Sequence, residues 1–185
     1  MIGYALTGSF CTLSRSLSVL EALVRSGDEV VPFLSERVAS TDTRFFRSAE
    51  LVERVESLCG RRAVRTVEDA EPFGPRPLEA LIISPCTGNT LAKLAHGITD
   101  GAVTMAAKAH LRCDTPLLIA LASNDAMSQN LGSIATLLTR RSVYFVPMRQ
   151  DDPEGKPYSL VAEIERVPEA LAALRKGRSL RPLFI

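Results

Sequence analysis

A chain of 185 residues, 46% hydrophobic and 23% charged, is long enough to bury a core of its own without a metal or disulfide staple. Its 22 basic and 21 acidic residues are interspersed and leave a formal net charge of +1, which excludes the one-sided basic footprint of a nucleic-acid binder. Cys11, Cys59, Cys86 and Cys113 lie far apart with no CxxC pair, so they read as free thiols of a reducing compartment rather than a disulfide framework or a zinc site.

The chain opens MIGYALTGSF, with no basic region ahead of an apolar stretch. No window approaches the roughly 20 apolar residues that a membrane span needs, and a soluble cytoplasmic protein is expected. Ile2 to Leu6 is a short continuous apolar run, the pattern of a strand buried on both faces. Leu13, Leu17, Leu20 and Val24 then step by three and four, and Gly27 follows as a stop signal, so a helix is predicted. With the next apolar run, Val30 to Leu34, this makes a β-α-β opening. Leu51, Val55 and Leu58 with Gly60 after them predict a second helix. The proline-rich stretch Glu71 to Pro77 predicts a loop.

Further strands are predicted at Leu81 to Ile83, Leu117 to Ala122 and Val143 to Val146. Helices are expected around Leu91, Leu94 and Ala95, around Leu131, Ile134, Ala135 and Leu138, and from Pro168 through Leu174 to Gly177, with proline near the start and glycine past the end. The segment Arg149 to Pro157 reads as a polar loop. Strands alternating with helices imply an α/β fold: a three-layer, doubly wound parallel sheet of the Rossmann type in one domain over residues 1–185.

Two turns could hold chemistry. Thr7-Gly8-Ser9 runs from the first strand straight into a helix, placing backbone N–H groups and two hydroxyls at the helix's positive end. That suits a phosphate, and equally describes an ordinary capped turn. A GxGxxG fingerprint is missing, since Gly3 and Gly8 are too far apart. Ser84-Pro85-Cys86-Thr87-Gly88-Asn89-Thr90 ends another strand, and there Asn89 either caps the next helix or presents its amide to a ligand. Cys86 reads as a small buried residue or as a thiolate near a helix N-terminus. His96 and His110 read as surface or capping histidines, with proton transfer the alternative. Arg140-Arg141 complement a helix C-terminus, Lys108 and Arg112 read as a solvated pair, and Asp151-Asp152 read as turn formers.

TGS after the first strand and PCTGNTLAKLAHGITD followed by VTMAAKAH together resemble the flavoprotein fold family of flavin-dependent cysteine decarboxylases and flavin prenyltransferases. The matching motifs there are TGS or SGS and P-A-S/T-A-N-T. PCTGNTLAKLAHGITDGAVTMAAKAHLR, SNDAMSQN and YFVPMRQDDPEGKPYSLVA are similar, more narrowly, to the B subunits of a two-subunit bacterial enzyme that makes the pyridine dicarboxylate of spores. The resemblance covers nearly the whole chain.

It implies FMN as cofactor, with Thr7, Gly8, Ser9 and Ser35 on the phosphate side and Pro85, Thr87, Gly88, Asn89, Thr90 and Thr104 on the ring side. It also implies a companion A subunit carrying a nicotinamide (NADP) site and a cyclic dicarboxylate as substrate, with Lys93, Lys108 and Arg112 as candidate carboxylate partners. A homo-oligomer is expected on the resemblance and on the apolar segment Ala102 to His110. Three departures stand out. Cys86 and Gly88 replace two motif alanines, Ala122-Ser123-Asn124-Asp125-Ala126-Met127 replaces a P-x-M-N-x-x-M segment, and no histidine precedes His96 where the decarboxylases carry one, although Phe45 and Phe46 lie in that region. The implied role is an enzyme subunit in a net dehydration and two-electron oxidation. The alternatives are a binding and assembly subunit with a vestigial flavin pocket, and a free-standing FMN-dependent decarboxylase.

Overall fold

A computed structural model describes residues 1–185. The first half holds β1 (Ile2–Leu6), α1 (Leu13–Arg25), β2 (Val30–Leu34), α2 (Glu36–Ser40), α3 (Ser48–Cys59), α4 (Val67–Ala70) and β3 (Leu81–Thr87). It continues through α5 (Gly88–His96), α6 (Ala102–Arg112), β4 (Leu117–Ser123) and α7 (Leu131–Leu138). The closing elements are β5 (Val143–Phe145), β6 (Met148–Arg149), β7 (Leu160–Ala162) and α8 (Val167–Leu174).

One seven-stranded sheet runs in the order β2-β1-β3-β4-β7-β6, with β5 also on β4. All pairs from β2 to β4 are parallel. The outer edge of β4 is shared: Leu117 to Ile119 pair in parallel with β5, whereas Ala122 and Ser123 pair antiparallel with β7. The antiparallel β6 and β7 are additions to the parallel sheet read from sequence. At two and three residues they are too short to show a period.

The continuous apolar runs are explained by burial on both faces. Ile2, Tyr4 and Leu6 of β1 pack with Leu13, Leu17 and Leu20 of α1, Leu51 and Val55 of α3, and Leu171 of α8. Ala5, Ile83 and Ile119 point the other way, onto Leu91 and Leu94 of α5, Ala106 of α6 and Ile134 of α7. The helices end where glycine permits a left-handed residue, Gly27 (φ +95) beyond α1 and Gly60 (φ +63) at the end of α3.

Three local readings change. β3 continues past its apolar run to Thr87, with its register on β4 shifting between Ile83 and Cys86, the irregularity at which a strand accommodates Pro85. The proline-rich loop begins with a 3-10 turn, Glu71–Phe73, directly after α4. The apolar side of α6 is satisfied within the chain, because Ala102, Val103, Ala106 and Ala107 are buried in the core; its composition is therefore no sign of self-association.

Candidate functional site

In an open parallel sheet, ligands collect at the carboxyl ends of the strands where the order reverses. Here β1 and β3 are neighbours with β2 outside one and β4 outside the other, so the reversal falls at Thr7-Gly8-Ser9 and Pro85-Cys86-Thr87. A cleft of about 630 Å³ opens there, a size usual for small-molecule sites.

The ten residues singled out from sequence separate into those that line the cleft and those that build it. Gly8, Ser35, Thr87, Asn89, Thr90 and Thr104 line it. Thr7 is buried, and its hydroxyl donates to the Pro85 carbonyl at 2.8 Å while accepting from the Thr87 N–H at 3.0 Å. It ties the two strand ends together, with Pro85 as one of its anchors. Ser9 accepts from the Thr12 hydroxyl at 3.0 Å and shapes the entry to α1. Gly88 is buried where a Cβ would stand 2.6 Å from both Asn130 Nδ2 and Ser123 Oγ; that close approach is why glycine stands here in place of a motif alanine.

The phosphate-side residues leave donors free. Ser35 Oγ is buried with no hydrogen-bond partner. A Cβ on Gly8 would meet only ordinary contacts, 3.7 Å to Arg37 Cβ and 3.7 Å to the Phe10 ring, so a side chain would fit the fold but would occupy cleft space. Arg37, which also lines the cleft, has no carboxylate within 4.0 Å. Sequence reading missed Arg37 and Phe10. The only available signal was their nearness to Ser35 and to the TGS turn.

On the other side, Thr87 caps α5: its Oγ1 accepts from the Thr90 N–H at 3.1 Å and donates to Thr90 Oγ1 at 3.0 Å. The choice posed for Asn89 is thereby narrowed, because the cap is Thr87 and Asn89 is an exposed second residue of α5 lining the cleft. Thr104 receives the Gly101 N–H at 3.2 Å and donates to the Gly101 carbonyl at 3.0 Å, fixing the start of α6 as a wall. Lys93 does line the cleft but is paired with Asp100 at 2.6 Å, and that ammonium holds the Asp100 carboxyl below the usual range. Lys108 and Arg112 lie elsewhere, in a separate pocket.

Cys86, the two histidines and the Asp151-Asp152 pair are unsuited to acid–base work in the cleft. Cys86 is fully buried and burial pushes its thiol far up, so it is no thiolate. Exposed His96 directs Nδ1 to the Ala92 carbonyl at 2.9 Å near the end of α5. His110 is buried; its Nδ1–H donates to the Ala106 carbonyl at 2.8 Å, and Nε2 lies toward the Leu78 carbonyl outside hydrogen-bonding geometry. Neither histidine lines the cleft. Asp151 accepts from Ser159 and Lys156, and Asp152 from the Gly155 N–H, which makes both loop formers. Phe45 is exposed under the Arg44 guanidinium, and Phe46 packs against the core.

Residues 1–165 match the family model described as Flavoprotein. The chain is 39% identical to the dipicolinate synthase B subunit of Bacillus subtilis (strain 168) over 185 residues, 100% of this chain and 92% of the relative. The crystal structure of the corresponding dipicolinate synthase B subunit from Bacillus halodurans C superposes with a TM-score of 0.90 at 39% identity, covering 100% of this chain and 95% of that one. The FMN-dependent cysteine decarboxylase SpaF shares the fold, with a TM-score of 0.69 at 20% identity over 95% of each chain.

Proposed function

The chain belongs to the flavoprotein family, among the dipicolinate synthase B subunits, and on that premise we propose that it works with a dipicolinate synthase A subunit to form dipicolinate. The substrate in this reading is a cyclic lysine-pathway intermediate, dihydrodipicolinate or its hydrated precursor. Aromatisation removes two electrons, so a hydride acceptor is required. The A subunit's NADP and a flavin in the cleft are the two candidates, and FMN, when bound, supplies a reversible two-electron centre.

The observation that carries the reading is the buried Ser35 hydroxyl without a partner, set beside Gly8 and the unpaired Arg37 in one cleft. A buried hydroxyl left unsatisfied is costly, and an anion accepting from it and from the Arg37 guanidinium removes that cost. Ser35, Gly8 and Arg37 would hold the phosphate of FMN. Thr87, Asn89, Thr90 and Thr104 would flank the ring, positioned by the Thr7 tie and the Gly101–Thr104 hydrogen bonds.

The lining contains no histidine and no cysteine; of its two carboxylates, Asp100 is held ionised by Lys93 and Glu36 is an exposed residue at the start of α2. This favours a division of labour in which the A subunit supplies proton chemistry and this chain binds and orients, and it weighs against a free-standing decarboxylase. Lys93 is the candidate for a substrate carboxylate, exchanging Asp100 for it. Self-association is retained in this proposal, with exposed Leu131 and Leu138 of α7 as the apolar surface available for it.

Two measurements test the reading. Purified protein incubated with FMN and then freed of unbound flavin by gel filtration should stay yellow, with flavin fluorescence quenched on binding, and adding the A subunit should yield dipicolinate from the cyclic precursor. A protein fraction that elutes colourless from that column yet supports full turnover would remove flavin from the proposal. One that supports no turnover with the A subunit under any condition would refute it.

A further inference from the structure

A second pocket, of about 270 Å³, lies on the face built by α5, α6 and the end of α7. Three cationic residues line it: Lys108 and Arg112 from α6, and Arg140 from the turn after α7, with the Arg112 guanidinium reaching on toward Gly74 in an adjoining groove. Lys108 and Arg112 are four residues apart on one helical stripe, a like-charge spacing that is destabilising when nothing neutralises it. None of the three has a carboxylate within 4.0 Å. Glu71, in an adjoining groove that Lys108 and Arg112 also border, is no exception. Leu94, Ile98 and Leu111 give the pocket an apolar lining between these charges.

We propose that this pocket binds a small dicarboxylate at a site separate from the flavin cleft. Two carboxylates answer the cluster of cations, and a guanidinium takes a carboxylate through two parallel hydrogen bonds. The apolar lining suits a ring or short carbon skeleton. The volume lies just under the range of drug-sized ligands, which favours a metabolite over a nucleotide. Thr104 borders both this pocket and the cleft, so the two sites share one wall.

The charge and size class follow from the pocket itself, whereas the choice of probe rests on the function proposed above. Isothermal titration of the full chain with pyridine-2,6-dicarboxylate, and separately with inorganic phosphate, tests the site. A dicarboxylate site is expected that binds at least tenfold more weakly in the Lys108→Ala/Arg140→Ala double variant and with unchanged affinity in Gly8→Val, whose side chain fills the cleft; a second, cleft-bound equivalent would be lost in Gly8→Val instead. Phosphate should bind more weakly than the dicarboxylate. Lys108 and Arg140 are exposed, so the replacements leave the fold intact, and Lys108→Gln/Arg140→Gln provides an independent second pair. The proposal fails if the parent shows no binding at millimolar ligand, if both double variants bind as the parent does, if Gly8→Val abolishes binding, or if phosphate binds as tightly. Turnover with the A subunit, measured in parallel, reports on the proposed function whatever the titration gives.

Discussion

Replacing Thr87 and Asn89 one at a time separates the cap of α5 from its ligand contact. Thr87→Ala removes the acceptor of the Thr90 N–H and the partner of the Thr90 hydroxyl. Loss of such a cap costs about 1 kcal/mol, which in a chain of this length lowers Tm by about 2–4 °C. The Asn89 side chain is exposed and makes no hydrogen bond within the chain, so Asn89→Ala should stay within about 0.5 kcal/mol of the parent. Binding should show the reverse order. If the Asn89 amide contacts FMN, its loss weakens binding by about 2- to 10-fold, the equivalent of one hydrogen bond. The Thr87 hydroxyl is already committed to Thr90 and should matter less. Asn89→Asp keeps the helix start content, since a carboxylate is favourable there, but turns a donor into a charge facing the ligand and should weaken FMN more than alanine does. Calorimetric melts give the first quantity and flavin fluorescence quenching the second. If Asn89→Ala lowers Tm as far as Thr87→Ala does, the cap is misassigned. If it leaves FMN affinity and dipicolinate formation untouched, the ligand role is wrong.

Thr7→Val keeps the shape of a buried side chain but leaves the Thr87 N–H without its acceptor and takes one of two donors from the Pro85 carbonyl, which keeps the Thr7 N–H at 3.3 Å; a loss of about 1–3 kcal/mol is expected by chemical denaturation, and an unchanged midpoint would show that the two strand ends need no side-chain tie. Gly8→Val should melt near the parent, because a Cβ there meets nothing closer than 3.7 Å, yet bind FMN at least tenfold more weakly; equal affinity would put the phosphate elsewhere. Burial holds the His110 imidazole below its ordinary 6.5, so the unfolded chain takes up this proton first on acidification. Its contribution to stability is therefore present above pH 6.5 and declines as pH falls below it. Melts from pH 7.5 to 5.5 should show a shallower decline in His110→Gln than in the parent, and parallel slopes would contradict the assignment.

Much of the architecture was legible in the chain because the signals were local. The apolar runs at Ile2, Val30, Leu81, Leu117 and Val143 announce strands buried on both faces. The three-four spacing of Leu13, Leu17 and Leu20 announces a helix, and Gly27 and Gly60 mark stops through the one backbone conformation that other residues resist. The TGS and PCTGNT turns could be placed at strand ends for the same reason. Short elements stayed hidden, since α2, α4, β6 and β7 hold five residues or fewer and complete no readable period. What sequence could not assign was the division of roles within those turns. Thr7 and Thr87 carry the same kind of hydroxyl as Ser35, yet Thr7 is tied to the neighbouring strand, Thr87 is fixed on its own helix, and Ser35 is left without a partner. Those outcomes depend on which strand lies beside which, and on contacts across 78 and 80 residues of chain. Lys93, Lys108 and Arg112 looked equivalent as carboxylate partners, and only the packing of α5 against α6 puts the first in the cleft beside Asp100 and the other two around a pocket of their own. Periodicity and turn chemistry act over a few residues and set the elements, whereas the pairing of polar groups is decided where distant segments meet.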